Sequence, residues 1–238
     1  AYDTAPSQRF RVEQWAALCP QDEARFTFLP FESERLNSIL FKKGNVATKA
    51  LEVSKGILRR FSHVSRDARR ADVVYVSREL IPLGLTFFER ILTLLGAPLV
   101  FDFDDAIYLP ATSPANRAFQ WLKDPGKTAS LCTMSREVIV ASRFLEEYAR
   151  QYSPNVTVIP TTIDVVRYQP KSDLAPSAPP VIGWSGSSTT LEYIEGLAPS
   201  LGRLRDSRPF RLRVMGGEAR LPGIDVECRP WKAEGELD

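Results

Sequence analysis

Residues 72–77 (DVVYVS) and 98–103 (PLVFDF) decide the fold class of this chain. Each is a short run rich in apolar and β-branched residues, which is typical of a strand buried on both faces of a sheet. The segment between them, 83–95, is predicted to be a helix, because Gly96 and Pro98 follow it as a helix-end signature. Strand, helix and strand in this order predict a parallel βαβ unit.

The same alternation extends beyond this unit in both directions. Two further strands are predicted at 137–141 (EVIVA) and 155–159 (NVTVI), with Ser142 as the N-cap of a helix between them. The other predicted elements of this half are a helix over 8–18 capped by Ser7, a strand around Phe26 and Phe28, a helix over 46–68 and a helix around 116–123. The pattern predicts an α/β fold with a doubly wound parallel sheet.

The predicted helix over 46–68 has apolar residues at steps of three and four, which defines one amphipathic face despite the helix-weakening Gly56. These positions are 46, 50, 53, 57, 61, 64 and 68. The stretch 45–70 also carries seven basic residues against two acidic ones. Such a helix can lie on an anionic membrane surface or present a solvated basic face.

Residues 171–180 are rich in proline and are predicted to form a linker between two domains. The N-terminal domain is assigned to 1–170 and the beginning of a C-terminal domain to 181–238. In the latter, strands are predicted at 181–184, 210–215 and 224–228, with a helix over 190–206. This is too little chain to cover both faces of a doubly wound sheet, so we expect the second domain to be incomplete.

Three acidic residues, Asp102, Asp104 and Asp105, lie at the end of the strand at 98–103 and directly after it. Ligands of open α/β sheets bind at the carboxyl ends of strands, so these are the candidate catalytic residues. The residues allow a metal-binding Asp-x-Asp, the nucleophile and acid of a phosphohydrolase, or a carboxylate that orients a substrate hydroxyl. They also allow a purely structural role in helix capping and pairing with an arginine.

Glycine turns follow the strands of the second domain, and each has a structural alternative as an ordinary turn. Glycine lets a ligand approach the backbone closely, so these turns are candidate phosphate-binding loops. The candidate ligand-binding residues are Ser185, Gly186, Ser187, Gly216, Gly217 and, for a nucleobase, Trp231. Near the start of the chain, Arg9 and Arg11 are candidates for binding a phosphate or an acceptor.

Composition excludes several other classes. The net charge of +2 gives no argument for a nucleic-acid partner. The three cysteines, Cys19, Cys132 and Cys228, have no metal-ligand spacing and are expected to be buried thiols of a reducing compartment. His63 is the only histidine, and no nucleophile elbow accompanies it. No apolar stretch has the length of a bilayer span, which favours a cytoplasmic protein, peripheral at most to the inner face of the membrane.

Together these segments resemble a known family. The segments 155–170 (NVTVIPTTIDVVRYQP), 181–190 (VIGWSGSSTT) and 210–218 (FRLRVMGGE) are similar to signatures of retaining GT-B glycosyltransferases of group 1, family 4-like. The segment 101–108 (FDFDDAIY) is similar to a bacterial subgroup that makes cell-envelope polysaccharide. The family has Asn-Gly where this chain has Thr161-Thr162.

The resemblance implies two Rossmann-like domains and transfer of a sugar, a hexose, from a nucleotide-sugar to a glycan or lipid-linked acceptor with retention of configuration. It also implies that no cofactor or metal is required. Ser185, Gly186 and Ser187 would lie near the donor phosphates, and the three aspartates would face the acceptor.

The family's basic pair and paired glutamates lie beyond about residue 235, and its first strand lies before Ala1. We therefore expect little or no transferase activity from this chain by itself. The alternatives are a non-catalytic nucleotide- or glycan-binding module, a metal-dependent transferase and a phosphohydrolase, the last two using Asp102 and Asp104.

Overall fold

The computed structural model describes residues 6–40, 42, 44–109, 124–170, 178–186 and 190–230. The chain divides into two compact units, Ala1–Asp164 (unit 1) and Val165–Asp238 (unit 2). Most of the linker assigned to 171–180 and the helix predicted around 116–123 lie outside the described residues, so both stay predictions.

Unit 1 is built on a four-stranded sheet in which all neighbours are parallel, in the order β1-β2-β3-β4. The strands are β1 (Val74–Ser77), β2 (Leu99–Phe103), β3 (Glu137–Val140) and β4 (Val156–Val158). Phe101, Phe103, Val138 and Val140 are completely buried at the centre of the sheet. The parallel sheet expected from the apolar runs is thereby confirmed.

Helical segments connect and flank these strands. They are α1 (Pro6–Gln8), α2 (Gln14–Leu18), α3 (Glu34–Leu40), α4 (Val46–Ser62), α5 (Phe87–Leu94), α6 (Gly126–Met134) and α7 (Arg143–Ala149). A π-helical segment, Arg9–Glu13, joins α1 to α2, and a second one, His63–Asp67, continues α4 into a 3₁₀ turn at Ala68–Arg70.

Two helix boundaries show the local chemistry that the sequence indicated. At the end of α5, the Ala97 N–H donates to Leu92 O and the Gly96 N–H donates to Thr93 O, with Gly96 in the left-handed region at φ 73°. This is the Schellman arrangement. At the start of α7, the Ser142 hydroxyl accepts from the Leu145 N–H at 3.4 Å and is the N-cap.

The strand predicted around Phe26 and Phe28 is wrong, because this segment is irregular in the structure. The two rings stack with centroids 6.5 Å apart and stay partly exposed. Alternating aromatic residues favour a strand only where a neighbouring strand supplies hydrogen bonds. Ser7 is also not an N-cap, since it lies within α1, and the sequence analysis did not predict α3 or α6.

The apolar face predicted over 46–68 is confirmed in part, because Val53, Ile57, Val64 and Ala68 pack against the core. Glu52, Gly56 and Arg60 are buried, whereas Val46 and Phe61 of the predicted apolar face are exposed. The reason is that the segment before α3 packs on this side of the helix. Arg60 donates to Leu29 O at 2.9 Å, and a Cβ on Gly56 would lie 2.8 Å from the ring of Phe31.

Unit 2 contains a three-stranded parallel sheet in the order β5-β6-β7. Its elements are β5 (Val181–Ser185), α8 (Leu191–Gly196), α9 (Ala198–Ser207), β6 (Arg211–Met215) and β7 (Val226–Arg229). The strands were predicted. The single helix expected over 190–206 is two helices that meet at Leu197, with Pro199 in the first turn of the second.

The expectation of three buried thiols is right only for Cys132, because Cys19 is partly exposed and Cys228 is exposed. Burial raises the pKa of the Cys132 thiol to about 12. In the described part of the chain, no helix combines the length and the apolar character needed to cross a membrane.

Candidate functional site

The carboxyl edge of the unit 1 sheet brings Asp102 next to the end of β1. Asp102 is paired in register with Ser77 on one side and with Ile139 on the other. Phe101 and Phe103 point to the opposite face of β2 by strand alternation, and their rings lie 5.2 Å apart in the core. Asp102 is therefore a charged side chain, 1% exposed, at the rim of an apolar sheet.

A buried ion pair neutralises this carboxylate. Arg11 donates through Nε to Asp102 Oδ1 at 3.0 Å and to Oδ2 at 2.8 Å, and its Nη2 also donates to Oδ1. The side chains are 3% and 1% exposed. The same guanidinium reaches the segment that follows β4, where Nη1 donates to Ile159 O at 2.9 Å and to Thr161 Oγ1 at 3.2 Å. Arg11 thus ties the helical opening segment to the ends of two strands.

Two groups at this ion pair, Arg11 itself and Tyr75, have a raised pKa. Burial on its own would lower the pKa of Arg11, but the hydrogen bond and the charge of Asp102 outweigh it and raise the pKa. The pKa of Tyr75 is also raised, by burial first and then by the charge of Asp102 and a hydrogen bond with it. Both groups keep their protons at neutral pH.

A second, more open charged group lies just beyond the strand. Arg78 follows β1 in the left-handed region, at φ 64°, and its N–H donates to Asp102 O at 2.8 Å. Its Nη1 donates to Asp105 Oδ2 at 2.9 Å and lies 3.9 Å from Asp104 Oδ1. Asp105 is 64% exposed and Asp104 only 14%. A positive φ in a non-glycine residue costs energy, so the fold holds Arg78 in place beside the two acids.

The three aspartates therefore differ in what they can do. Both oxygens of Asp102 accept from Arg11, so this carboxylate is committed to the protein. Asp104 Oδ1 is buried and has no hydrogen-bond partner among the residues that the structure describes. A buried carboxylate oxygen in this state is suited to accept a hydrogen bond from a ligand hydroxyl.

The alternatives based on metal or phosphoenzyme chemistry fit this geometry less well. A nucleophile or metal ligand needs free carboxylate oxygens, which Asp102 lacks in its pair with Arg11. Across the described ranges, no three His, Cys, Asp or Glu side chains are arranged to hold a metal ion. Among the readings left open by the sequence, hydroxyl binding by Asp104 is the one that the arrangement favours.

In unit 2, the candidate donor-binding turns meet at one edge of the sheet. Ser185 and Met215 are in register at the ends of β5 and β6, and Arg229 ends β7 beside them. The Gly186 N–H donates to Met215 O at 3.1 Å, and the Gly216 N–H donates to Arg229 O at 3.0 Å. Parallel strands bring these turns together.

Steric constraints explain the glycines of these turns. A Cβ on Gly186 would lie 2.5 Å from the ring of Trp184 and 2.9 Å from Thr190 Oγ1, and a Cβ on Gly217 would lie 2.8 Å from Leu191 Cδ1. Gly216 has φ 97°, which favours glycine. These observations account for the glycines by packing alone, so the donor-binding role stays a prediction.

The other candidate residues have different surroundings. Arg9 is buried, and its guanidinium carbon lies 4.6 Å from the centroid of the Phe10 ring. Ser187 and Trp231 lie outside the described residues. Sequence reasoning missed Tyr75 and Arg78, although strand alternation places Tyr75 on the face of β1 that Asp102 occupies on β2. The left-handed conformation of Arg78 has no signal in the sequence.

Unit 1 therefore presents an arginine-bound carboxylate and a more open one at a single sheet edge, and unit 2 presents a glycine-lined edge. No model of a known protein family matches the sequence, and a search of curated proteins found no similar one. Functional inference consequently depends on these residues and on the resemblance of their sequence motifs.

Proposed function

We propose that this chain belongs to a glycosyltransferase of the GT-B type that moves a sugar from a nucleotide-sugar to a hydroxyl of a glycan or lipid-linked acceptor, with retention at the anomeric carbon. The observation that carries the proposal is the chemistry of the two sheet edges. One edge offers carboxylates suited to a sugar hydroxyl, and the other offers glycine turns suited to a diphosphate.

On the acceptor side, Asp104 is assigned the contact with the hydroxyl. Its buried Oδ1 accepts the hydroxyl hydrogen bond, and Arg78, 3.9 Å away, offsets the charge of the carboxylate. Asp102 acts indirectly, because its pair with Arg11 fixes the end of β2 from which Asp104 extends. Fixed geometry of this kind lowers the entropic cost of bringing an acceptor oxygen to a reacting carbon.

On the donor side, the diphosphate is assigned to the turn at Ser185 and Gly186 and to the neighbouring turn at Gly216 and Gly217. Glycine lets a diphosphate come close to the backbone of these turns without a side chain between them. The N–H groups of Gly186 and Gly216 themselves donate within the sheet, to Met215 O and Arg229 O, so they hold the turns in place rather than bind the phosphate. Ser185 is exposed at the end of β5 and its hydroxyl is a further donor.

The test is binding of nucleotide diphosphate sugars to the purified chain, measured by the shift in the melting temperature. A ligand at a hundredfold excess over its Kd stabilises a protein by about 2.7 kcal/mol, which gives a shift of several degrees. We expect one nucleotide class to raise the melting temperature and the exposed substitution Ser185→Leu to abolish the effect. Asp104→Asn is the matched control, because it leaves the donor turns of unit 2 unchanged.

Absence of a shift with every nucleotide-sugar of a panel that covers the common bases and hexoses would contradict the donor assignment.

If the donor binds, a longer form of the protein that transfers sugar to a glycan acceptor should lose most of that activity in Asp104→Asn. Loss of one carboxylate contact to a reacting hydroxyl is expected to cost on the order of a hundredfold. Unchanged transfer would remove Asp104 from the acceptor site.

A further inference from the structure

The side of α4 that faces away from unit 1 carries an apolar stripe. Its residues recur at steps of four and three along the helix, which places them on one face. They are the apolar residues Ala47, Leu51, Leu58 and Phe61 and the small polar Ser54, and all five are exposed. Leu51 is 53%, Leu58 69% and Phe61 46% exposed. Since α4 is anchored to unit 1 through Glu52, Gly56 and Arg60, this stripe is not needed for the core.

The stripe continues onto α5. The ring of Phe61 meets that of Phe87 edge-on, with centroids 5.8 Å apart, and Phe87 is 50% exposed. The ring of Phe61 also packs edge-on against the buried ring of Phe88, with centroids 4.8 Å apart. This contact fixes the position of Phe61. The exposed apolar surface therefore spans two helices, and Phe61 is held in place where α4 meets α5.

Cations flank this surface. Lys55 and Arg59 follow the stripe on one side of α4, and Arg66, Arg69 and Arg70 are exposed beyond its end. The stretch 45–70 has only two acidic residues, and one of them, Glu52, is buried and bonded to Lys55 at 2.8 Å and to Ser33. Arg59 donates to the carbonyl oxygen of Phe31. Because this acceptor is neutral, the contact does not cancel the positive charge of Arg59.

We propose that the α4 stripe, Ala47–Phe61 with Phe87, lies on an anionic lipid bilayer. Exposed leucine and phenylalanine side chains enter the boundary between headgroups and acyl chains, while Arg59, Arg66, Arg69 and Arg70 contact lipid phosphates. A second copy of the chain fits this face less well, because a two-fold contact would bring the same cations opposite one another. The inference goes beyond the proposed transferase and does not depend on it.

Vesicle flotation with the whole chain tests the proposal. The protein should float with vesicles of equal parts phosphatidylcholine and phosphatidylglycerol, and much less with phosphatidylcholine alone. Added salt should weaken binding to the anionic vesicles, since it screens the cations. Equal binding to both vesicle types, or binding to neither, would overturn the proposal.

Matched variants distinguish binding through this stripe from nonspecific hydrophobic adsorption to vesicles. Leu51→Ser combined with Leu58→Ser should reduce partitioning to anionic vesicles at least about tenfold, and Arg66→Gln with Arg69→Gln should reduce it while lowering the salt dependence. Phe144→Ser, which removes an aromatic side chain 63% exposed on α7, is the control and should bind as the parent chain does. Circular dichroism verifies folding of each variant, all of them at exposed positions.

An equal loss in the Phe144→Ser control would contradict the assignment to α4. So would dimerisation that disappears in the Leu51→Ser, Leu58→Ser variant while no vesicle binding is seen, since it would identify a second copy as the occupant. Because vesicle binding is measured without a nucleotide-sugar, its failure and the failure of the transferase proposal are distinguishable.

Discussion

Asp102 and Arg11 are 91 residues apart in the chain, yet their side chains form a pair that is almost fully excluded from solvent. Two charges in such surroundings pay a desolvation cost of several kcal/mol each, which only close hydrogen-bonded geometry offsets. The contacts of Arg11 with Ile159 O and Thr161 provide the additional hydrogen bonds. The pair therefore contributes more to the arrangement of the sheet edge than to net stability.

Arg11→Met should lower the free energy of unfolding by roughly 3–5 kcal/mol, because it leaves Asp102 buried without its cation. The double variant Arg11→Met, Asp102→Leu should regain much of that loss, since neither charge then remains. Urea unfolding of the parent chain and both variants provides the measurement. A double variant no more stable than the single one would show that the pair itself stabilises the fold.

His63, the only histidine, should titrate below its ordinary pKa of 6.5. Burial lowers its pKa, Arg60 adds to the effect, and Asp67 opposes it. The unfolded chain then binds the proton more readily than the folded one, so the free energy of unfolding decreases as the pH falls below about 6.5. One imidazole resonance in a proton NMR titration reports this pKa directly.

The control for this titration is His63→Gln, which should remove the His63 contribution to the pH dependence of unfolding. A measured pKa at or above 6.5 would mean that the imidazole is not held in its neutral form by the surroundings of α4.

At the scale of single elements, α4 shows how tertiary contacts extend a sequence pattern. Val53, Ile57 and Val64 of the predicted apolar face pack against the core. The segment before α3 covers a neighbouring face as well, and Glu52, Gly56 and Arg60 are buried there. Gly56 permits this cover because the ring of Phe31 occupies the space of its missing side chain. A helix-weakening residue in the sequence is thus a packing requirement in the structure.

Gly56→Ala should destabilise unit 1 by about 1 kcal/mol or more. The gain in helix propensity, about 1 kcal/mol, is outweighed by displacement of the Phe31 ring from a position 2.8 Å from the new Cβ. Gly202→Ala is the matched control, because no atom lies within 4 Å of its Cβ in α9, and it should stabilise by up to about 1 kcal/mol. Thermal unfolding of both variants is the measurement, and an identical sign would refute the Phe31 argument.

At the scale of the whole molecule, the chain has two units with separate cores, one centred on Phe101 and Val138 and the other on Leu212 and Val214. Each core is closed by its own parallel sheet, whose strands pair only with members of the same sheet. Of the three cysteines, Cys19 and Cys132 belong to unit 1 and Cys228 belongs to unit 2.

Alkylation with iodoacetamide at pH 8 should therefore modify Cys228 rapidly and Cys132 only when unit 1 unfolds. Cys228 is exposed, whereas burial raises the pKa of Cys132 to about 12 and leaves almost no thiolate at that pH. Mass spectrometry at increasing urea concentrations follows both sites, and Cys228→Ser is the control for assignment. Rapid labelling of Cys132 in native buffer would contradict its place in the core.

The sequence by itself determined the strands of both sheets, their parallel class, the Gly96 helix end and the Ser142 cap. These features follow from local runs of apolar residues and from turn and cap chemistry within a few positions, which a sequence displays directly. The same reasoning located the acids at the end of β2 and the glycines after β5 and β6, because strand ends are local too.

Only the tertiary structure decided which of these residues meet and which side chains remain open. The pairing of Asp102 with Arg11, the buried Asp104 oxygen without a hydrogen-bond partner beside Arg78 and the outward stripe of α4 arise from contacts between segments far apart in the chain. Phe26 and Phe28 alternate like a strand but are irregular, since a strand needs a partner strand. Burial and pairing are properties of the folded arrangement, so local composition predicts the elements better than the contacts that give the site its chemistry.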